Sequence, residues 1–128
     1  MGQGMKRDPE LLRALLLDIE KAPADMYILS FYYEEHAEWN KDVIALHIAL
    51  LKDAGLVDYH EPVRDETGMA REWIFLRLTS DGHDFLDAAR NAGIWKKALA
   101  KVGDKGLGIG IDLFKELLKS LVKQELGL

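Results

Sequence analysis

His83 and Asp87 stand four residues apart in a stretch of helical character, and this spacing places both side chains on one face of a helix. With Asp84 nearby, they could in principle hold a metal ion. A metal site normally needs three or more ligands, so we expect His83 instead to support the start of its helix or to face solvent. The sequence therefore predicts no metal ion and no other cofactor.

Motifs of catalysis and of phosphate binding are missing from the chain. The stretch GDKGLGIG, residues 103–110, lacks the G-K-[ST] ending and the preceding strand of a phosphate-binding loop. There is no cysteine and no G-x-S-x-G motif. His47 falls on the apolar side of its helix, where we expect a partly buried ring bonded to a nearby carbonyl. We therefore expect that the protein is not an enzyme.

Three lysines, Lys115, Lys119 and Lys123, follow one another at intervals of four residues and so run along one face of a helix. They belong to residues 94–128, where seven lysines against four acidic residues give a net charge of +3. Such a row is a candidate contact for the phosphates of double-stranded DNA. The alternative is the solvated face of an amphipathic helix, where lysine is the usual residue.

The composition is that of one acidic globular domain. Of 128 residues, 48% are hydrophobic and 30% charged, and the net charge is −5, so a packed core is feasible and DNA binding would need a local basic patch. The absence of cysteine fits a reducing compartment. No signal peptide is visible, and no apolar run reaches the roughly 20 residues that span a bilayer. We expect a cytoplasmic protein without membrane association, whose residues 1–4, MGQG, are a tag remnant.

Capping residues and apolar periodicity predict the elements that must position these side chains. Asp8 suits the cap of the first helix, Asn40 the cap of the second and Thr79 the cap of the third, and Gly55 suits the end of the second helix. Gly93 is expected to break or bend the third helix. The predicted elements, in chain order, are a helix from Pro9 to about Ala22, a strand Met26–Tyr33, a helix Lys41–Ala54, strands Leu56–Glu61 and Trp73–Leu78 around a loop, a helix Ser80–Gly93 resuming over Ile94–Val102, and a final helix Ile111–Leu126.

This order, helix, strand, helix, hairpin, helix, helix, is typical of a winged helix. We predict an α+β, mainly helical fold: a winged helix(-turn-helix) with a three-stranded small sheet and a C-terminal helical extension. The winged-helix domain covers residues 5–93 and the extension residues 94–128, with a glycine-rich joint at 103–110. The helix that usually precedes the recognition helix must be very short or lie within the stretch EEHAEWN.

Four stretches carry a resemblance to a known family: MKRD, LHIALLKDAGLV, LRLTSDGHDFLDAARNAGIWKKA and KELLKSLVKQELG. Together they span nearly the whole chain from Met5, and LTSDGHDFLDAAR is the most specific part. The chain resembles an uncharacterised domain family of bacteria and their phages. This resemblance implies a winged-helix fold and a phage or prophage context, and it supplies no catalytic residues.

The helix in the recognition position, Lys41–Ala54, offers few side chains that read bases. Base edges are typically read by Arg, Asn, Gln or Lys, and here two aspartates offset two lysines around central alanines. Its outward face carries Lys41, Asp42, Ala45, Ala49, Lys52 and Asp53.

The hairpin that forms the wing is acidic. Residues 58–72 contain five acidic residues against Arg64 and Arg71, a net charge of −3, and residues 23–57 sum to −4. A wing that contacts phosphates is expected to be basic. The candidate nucleic-acid contacts, Lys41, Lys52, Arg64, Arg71, Lys115, Lys119 and Lys123, therefore lie partly on a negative surface.

A protein interface is the other interpretation of the same residues. Ala45 and Ala49 would let a second backbone approach their helix closely, although small residues there also simply favour helix formation. The apolar seam of the last helix must pack on its own domain or on a second chain, as in a homodimer. Its members are Ile111, Phe114, Leu118 and Leu121. Two functions stay open: a phage-type nucleic-acid-binding regulator, or a protein-interaction or dimerisation module on a winged-helix scaffold that does not bind DNA.

Overall fold

A computed structural model describes residues 7–21, the backbone of 31–32, and residues 39–102 and 110–128. Over these residues the fold is α+β and mainly helical, with small antiparallel sheets. The elements, in chain order, are α1 (Pro9–Glu20), β1 (Phe31–Tyr32), α2 (Lys41–Asp53), β2 (Val57–Asp58), β3 (Val63–Arg64), β4 (Ala70–Trp73), β5 (Arg77–Leu78), α3 (Ser80–Arg90), α4 (Ala92–Val102) and α5 (Ile111–Leu126).

The first three helices begin where their capping residues predict. The side chain of Asp8 accepts the backbone N–H of Glu10 in α1, Asn40 caps α2 in the same way, and Thr79 caps α3. Each side chain thereby satisfies one of the free N–H groups that every helix start presents. The second helix ends one residue earlier than expected, before Gly55, which has the positive φ of 76° that glycine readily adopts.

The prediction of one three-stranded sheet built from the strand after α1 and the hairpin was wrong, because these strands divide between two sheets. β4 lies between β1 and β3, whereas β2 pairs separately with β5. The returning strand is interrupted at Phe75, which has a φ of 58°, a left-handed conformation that ends a strand. The loop predicted over residues 62–72 supplies β3 and most of β4. Of the predicted strand 26–33, only β1 falls within the described residues.

The break between the third and fourth helices lies at Asn91, two residues before the predicted Gly93. Asn91 leaves the helical conformation, with φ −75° and ψ 109°, and its side chain accepts the backbone N–H of Ile94 at 3.1 Å. It therefore caps the following helix, a use of asparagine that is common at helix starts. Gly93 lies inside α4.

The last helix, α5, packs against α3 and α4, and the buried side chains of all five helices form one core. The centre of this contact is Phe114, whose ring lies edge-on to Trp95 with centroids 5.5 Å apart. Of the predicted joint 103–110, only Gly110 lies within the described residues.

Polar contacts fasten α1 to α3 and α4 at the surface of this core. The indole nitrogen of Trp95 donates to the Glu10 carboxylate at 2.7 Å. Arg13 donates through Nε to the Ala89 carbonyl at 2.9 Å, and its guanidinium lies over the Trp95 ring. Arg90 binds both carboxylate oxygens of Glu20, and this pair lowers the pKa of Glu20.

His47 is a fully buried polar side chain of α2, and it joins that helix to the start of α1. Its Nδ1 lies 2.8 Å from the Val43 carbonyl, and its Nε2 lies 2.8 Å from the backbone nitrogen of Asp8. Because the Asp8 N–H can only donate, Nε2 accepts and Nδ1 carries the proton, so the ring is neutral. The predicted bond to a nearby carbonyl is confirmed, but the ring is fully buried and not partly buried as expected. The second bond ties the α1 cap to α2.

Gly82 in α3 lies against the backbone that follows α2. A Cβ atom at this position would stand 1.9 Å from the carbonyl oxygen of Leu56. That oxygen also accepts the backbone N–H of Thr79 at 3.0 Å, and the Thr79 hydroxyl donates to the Gly55 carbonyl. The segment TSDG therefore combines a helix cap with the closest backbone approach that glycine allows.

We expect Gly82→Ala to lower the free energy of unfolding by about 3 kcal/mol, because the backbone of Leu56 would have to move away from α3. Urea denaturation of purified protein measures this effect. The matched control is Gly93→Ala in α4, where the nearest atom to a new Cβ is 3.4 Å away. Gly93→Ala is expected to leave stability unchanged or to raise it by up to about 1 kcal/mol. An equal loss in both variants would contradict this account of Gly82.

We expect acid to destabilise the fold through His47. Burial lowers the pKa of His47 below its usual range, against the opposing effects of the Val43 carbonyl and the Asp8 charge. The unfolded chain therefore binds this proton more readily, and stability falls as pH drops below about 6.5 toward the folded-state pKa. Thermal denaturation at about pH 7.5 and about pH 5.5 should show a smaller drop in Tm for His47→Gln than for wild type. An equal drop in the two proteins would contradict the assignment.

Candidate interaction groove

The structure places the predicted nucleic-acid contacts of α2 and the hairpin among local partners. Lys52 donates through Nζ to the Tyr59 carbonyl at 2.9 Å and lies 4.2 Å from the centroid of its ring. Arg64 donates to the Gly68 carbonyl at 2.9 Å. Lys41 and Arg71 are exposed, and Arg71 has interactions of its own. These four cations therefore do not form a row of free groups.

The hairpin keeps a fixed negative charge near its tip. The hydroxyl of Thr67 donates to the Asp65 carboxylate, and this bond is the main cause that holds the pKa of Asp65 below its ordinary value. Backbone N–H groups of Thr67 and Met69 and the charge of Lys41 act in the same direction. The ionised carboxylate is an unfavourable neighbour for a phosphate.

The alanines predicted to face a partner are less exposed than an outward face implies. Ala45 is partly buried and packs against the hydrophobic core, and Ala49 is also partly buried. Leu46 and Leu50, which are not among the residues predicted to face outward, are also only partly buried. The division of α2 into a buried face and an exposed face therefore differs from the predicted one.

The predicted seam of the last helix is filled by the chain itself. Its four residues are between 0% and 6% exposed and belong to the core shared with α3 and α4. These residues are Ile111, Phe114, Leu118 and Leu121. In this single chain the seam holds α5 in place and is not a free surface.

A groove of about 480 Å³ runs between α3 and α5, and we call it the α3–α5 groove. Both helices contribute most of its length, and the start of α4 contributes at one side. Its lining residues are Asp81, Asp84, Phe85, Asp87, Ala88, Asn91, Ile94, Lys115, Leu118, Lys119, Val122, Lys123, Glu125 and Leu126.

The floor of the α3–α5 groove is apolar. Phe85, Ala88, Ile94 and Leu118 are buried side chains whose edges line it, and Val122 is partly buried beside them. Leu126 is 67% exposed at the α5 side, which makes it a large apolar side chain that water contacts. An apolar floor beside an exposed leucine favours the binding of apolar groups from another molecule.

The two walls of the groove carry opposite charges. The α3 wall has three aspartates, Asp81, Asp84 and Asp87, and the α5 wall has the lysine row together with Glu125. Lys115 and Asp81 form an ion pair across the groove, with Lys115 Nζ 3.6 Å from the Asp81 carboxylate. The Lys115 side chain is only 15% exposed. Lys119 lies 3.6 Å from Glu116 on its own helix. The lysine row predicted from spacing therefore exists, but it faces an acidic wall.

The described residues contain no cluster of side chains suited to hold a metal ion. Within the ranges 7–21, 39–102 and 110–128, no three His, Asp or Glu side chains cluster so as to hold a metal ion. His83 is exposed, and the Asp87 carboxylate accepts from Arg90 at 3.0 Å. In the same part of the chain, no buried side-chain polar atom lacks a hydrogen-bond partner, and none of its helices is long and apolar enough to cross a membrane.

Sequence reasoning missed the α3–α5 groove as a site. The signal was present, because aspartates recur every three residues in α3 while lysines recur every four residues in α5. Each spacing marks one face of one helix. What the sequence lacked was the docking of α5 on α3, which turns two separate charged faces into the two walls of one groove.

Comparisons with known proteins place this fold among uncharacterised relatives. The family described as "Hypothetical protein (DUF2513)" matches residues 6–108. A protein of Haemophilus influenzae, described as an uncharacterized protein, is 26% identical over 124 residues, covering 96% of this chain and 100% of the relative. No solved structure matches the chain. The family match stops before α5, whereas the alignment with the relative is long enough to extend into that helix.

Proposed function

Because the chain belongs to the DUF2513 family of hypothetical proteins, whose description assigns no activity, we propose a function from its surfaces. The protein is a non-catalytic protein-interaction module, and the α3–α5 groove is the surface that binds its partner. The observation that carries this proposal is the combination of an apolar floor with two oppositely charged walls. Protein segments carry apolar groups and charges of both signs, so they match such a surface.

The proposed scaffold is a winged helix. The succession of α2, the paired strands β2 and β5 around the β3–β4 hairpin, and then α3 supports it. Residues 5–93 would form this domain, and residues 94–128 would be the extension that supplies the α5 wall of the groove. In this arrangement α2 stands in the recognition position of the winged helix. The partner does not bind α2 but binds the groove between α3 and α5.

The charge of the groove is the reason for preferring a protein over a nucleic acid at this surface. DNA presents a dense row of phosphates, which the three aspartates of the α3 wall would repel. The lysines of the α5 wall are poorly placed to bind DNA, because a duplex in contact with them would also lie within the range of the negative charges on the α3 wall. A protein partner can place a basic side chain at one wall and an acidic one at the other.

A nucleic-acid-binding regulator of phage type is the second candidate. Two exposed cations favour it, Lys41 at the start of α2 and Arg71 on β4. The charge of Lys41 contributes to the lowered pKa of Asp65 in the hairpin, so Lys41 acts on the hairpin as well. Fold analogy also favours it, although analogy alone is an associational argument. Against it stand the local partners of Lys52 and Arg64 and the acidic hairpin.

We expect no binding to random duplex DNA at low salt, because the surface around α2 and the hairpin is net negative. Fluorescence anisotropy of a labelled duplex at about 20 mM and about 150 mM salt measures this. Binding at low salt that weakens when Lys41 and Arg71 are both changed to Ala would favour the second candidate. A matched control is Lys96→Ala with Lys97→Ala, which removes two exposed lysines of α4 far along the chain from the hairpin.

We expect a photo-crosslinking amino acid at Leu126 to trap a specific protein partner in the native host. The position is 67% exposed and lines the groove, so the substitution should not disturb the fold. Mass spectrometry should identify one main adduct, which disappears in a chain that also carries Lys119→Glu and Lys123→Glu. The matched control is the same amino acid at Lys97, an exposed α4 position outside the groove. Identical adducts from both positions, or no adduct from Leu126, would contradict an interaction function for the groove.

A further inference from the structure

We propose that the occupant of the α3–α5 groove is an amphipathic helix of a different protein, about three turns long, with one basic edge and one acidic edge. The inference rests on the proposed interaction function and specifies the partner. The basic edge of this helix lies along the α3 wall and its acidic edge along the α5 wall. Its apolar stripe enters the floor between them.

The length of the groove sets the length of the partner segment. On α5 the lining runs from Lys115 to Leu126, twelve residues separated by eleven rises of about 1.5 Å, or about 16 Å. On α3 and its end it runs from Asp81 to Asn91, which is about 15 Å. Three helical turns have this length, and they present apolar anchors at positions i, i+3 or i+4, and i+7.

The volume of the groove indicates that side chains enter it while the partner's backbone stays outside. A space of about 480 Å³ with a floor formed by Phe85, Ala88 and Val122 accommodates a few apolar side chains. A helix resting on the two rims would direct one stripe of side chains into this space. Its flanking residues would then stand over the charged walls, which is the arrangement in which their charges act.

The open charges of the walls select the edges of the partner. Asp81 and Lys115 already satisfy each other at 3.6 Å. Asp84 and Lys123 are exposed on opposite walls. A partner with basic residues on both edges would meet repulsion at the α5 wall, and one with acidic residues on both edges would meet it at the α3 wall. Among helices with charged edges, one with edges of opposite charge avoids both penalties and also gains attraction at each wall.

A second copy of this chain does not offer a matching helix within the described residues. The large hydrophobic side chains exposed there are Val63, Phe75, Leu113, Leu126 and Leu128. Only Leu113 and Leu126 lie in a helix, and they are thirteen residues apart in α5. Neither belongs to an exposed stripe at i, i+3 or i+4, and i+7 in the part of the chain that the structure describes, so that part of a second copy does not supply the proposed helix.

The opposite charges of the walls also determine the direction of the bound helix. Turning a helix end over end while its apolar stripe still faces the groove exchanges its left and right edges. A helix with one basic and one acidic edge therefore fits in one direction only. A second helix with the same stripe and exchanged edges fits in the reverse direction.

The test uses full-length protein and three fluorescent helical peptides that share one leucine stripe. The first peptide has one basic and one acidic edge, the second has two acidic edges, and the third has two basic edges. We expect the first to bind about tenfold more tightly than either of the others in anisotropy titrations at low salt. In the Lys119→Glu, Lys123→Glu variant both walls are acidic, and the peptide with two basic edges should bind best. Circular dichroism verifies that the variant is folded. Equal affinities, absence of binding, or an unchanged preference in the variant would overturn the inference.

The direction is read from a nitroxide label at the N-terminus of the peptide. In NMR spectra of the protein, we expect the label on the first peptide to broaden amide signals at one end of α5. A peptide with the same leucine stripe but with its basic and acidic edges exchanged should broaden signals at the other end. An unchanged position would overturn the directional inference. A partner trapped from Leu126 together with failure of all peptides would refute the helix and leave the interaction function standing. Binding of the peptides with no partner trapped would refute the interaction function itself.

Discussion

The buried imidazole of His47 is the contact on which the arrangement of the first two helices depends. It accepts the backbone N–H of Asp8 and donates to the Val43 carbonyl, so both of its nitrogens are used inside an apolar core. A buried polar ring without these bonds would cost about 1–3 kcal/mol, so the contact also restricts where α1 can begin relative to α2. Because α1 in turn holds α3 and α4 through Glu10 and Arg13, the position of the third and fourth helices follows from this start.

The surfaces of the molecule differ in how far their charges are already satisfied. Around α2 and the hairpin, Lys52 and Arg64 bind neighbouring carbonyls, and the Asp65 carboxylate accepts hydrogen bonds from its own turn. Between α3 and α5, one ion pair bridges the groove and Asp87 and Lys119 pair with residues of their own helices, whereas Asp84 and Lys123 face solvent. A charge that already has a local partner gains little from a ligand. The α3–α5 groove is therefore better suited to bind a charged partner than the surface around α2 and the hairpin.

Local features were predictable from the sequence, and features that depend on distant contacts were not. Asp8, Asn40 and Thr79 act through bonds to residues two or three positions away, so their roles can be read from short stretches. The division of the sheets depends on a left-handed Phe75, a residue type that gives no warning of this conformation. The apolar seam of α5 was visible, but its docking site on α3 and α4, and hence the groove, is a tertiary property.

The docking of α5 has a consequence for synthesis of the chain on the ribosome. Phe114 meets Phe85 and Trp95, which are made earlier, with ring centroids 6.2 and 5.5 Å away. Until α5 has emerged, these two aromatic rings lack the side chain that packs between them, and a nascent chain in that state exposes apolar surface. A chain that stops before residue 111 would therefore expose this aromatic surface and be prone to aggregation, whereas mutations confined to the hairpin would not leave this aromatic cluster uncovered.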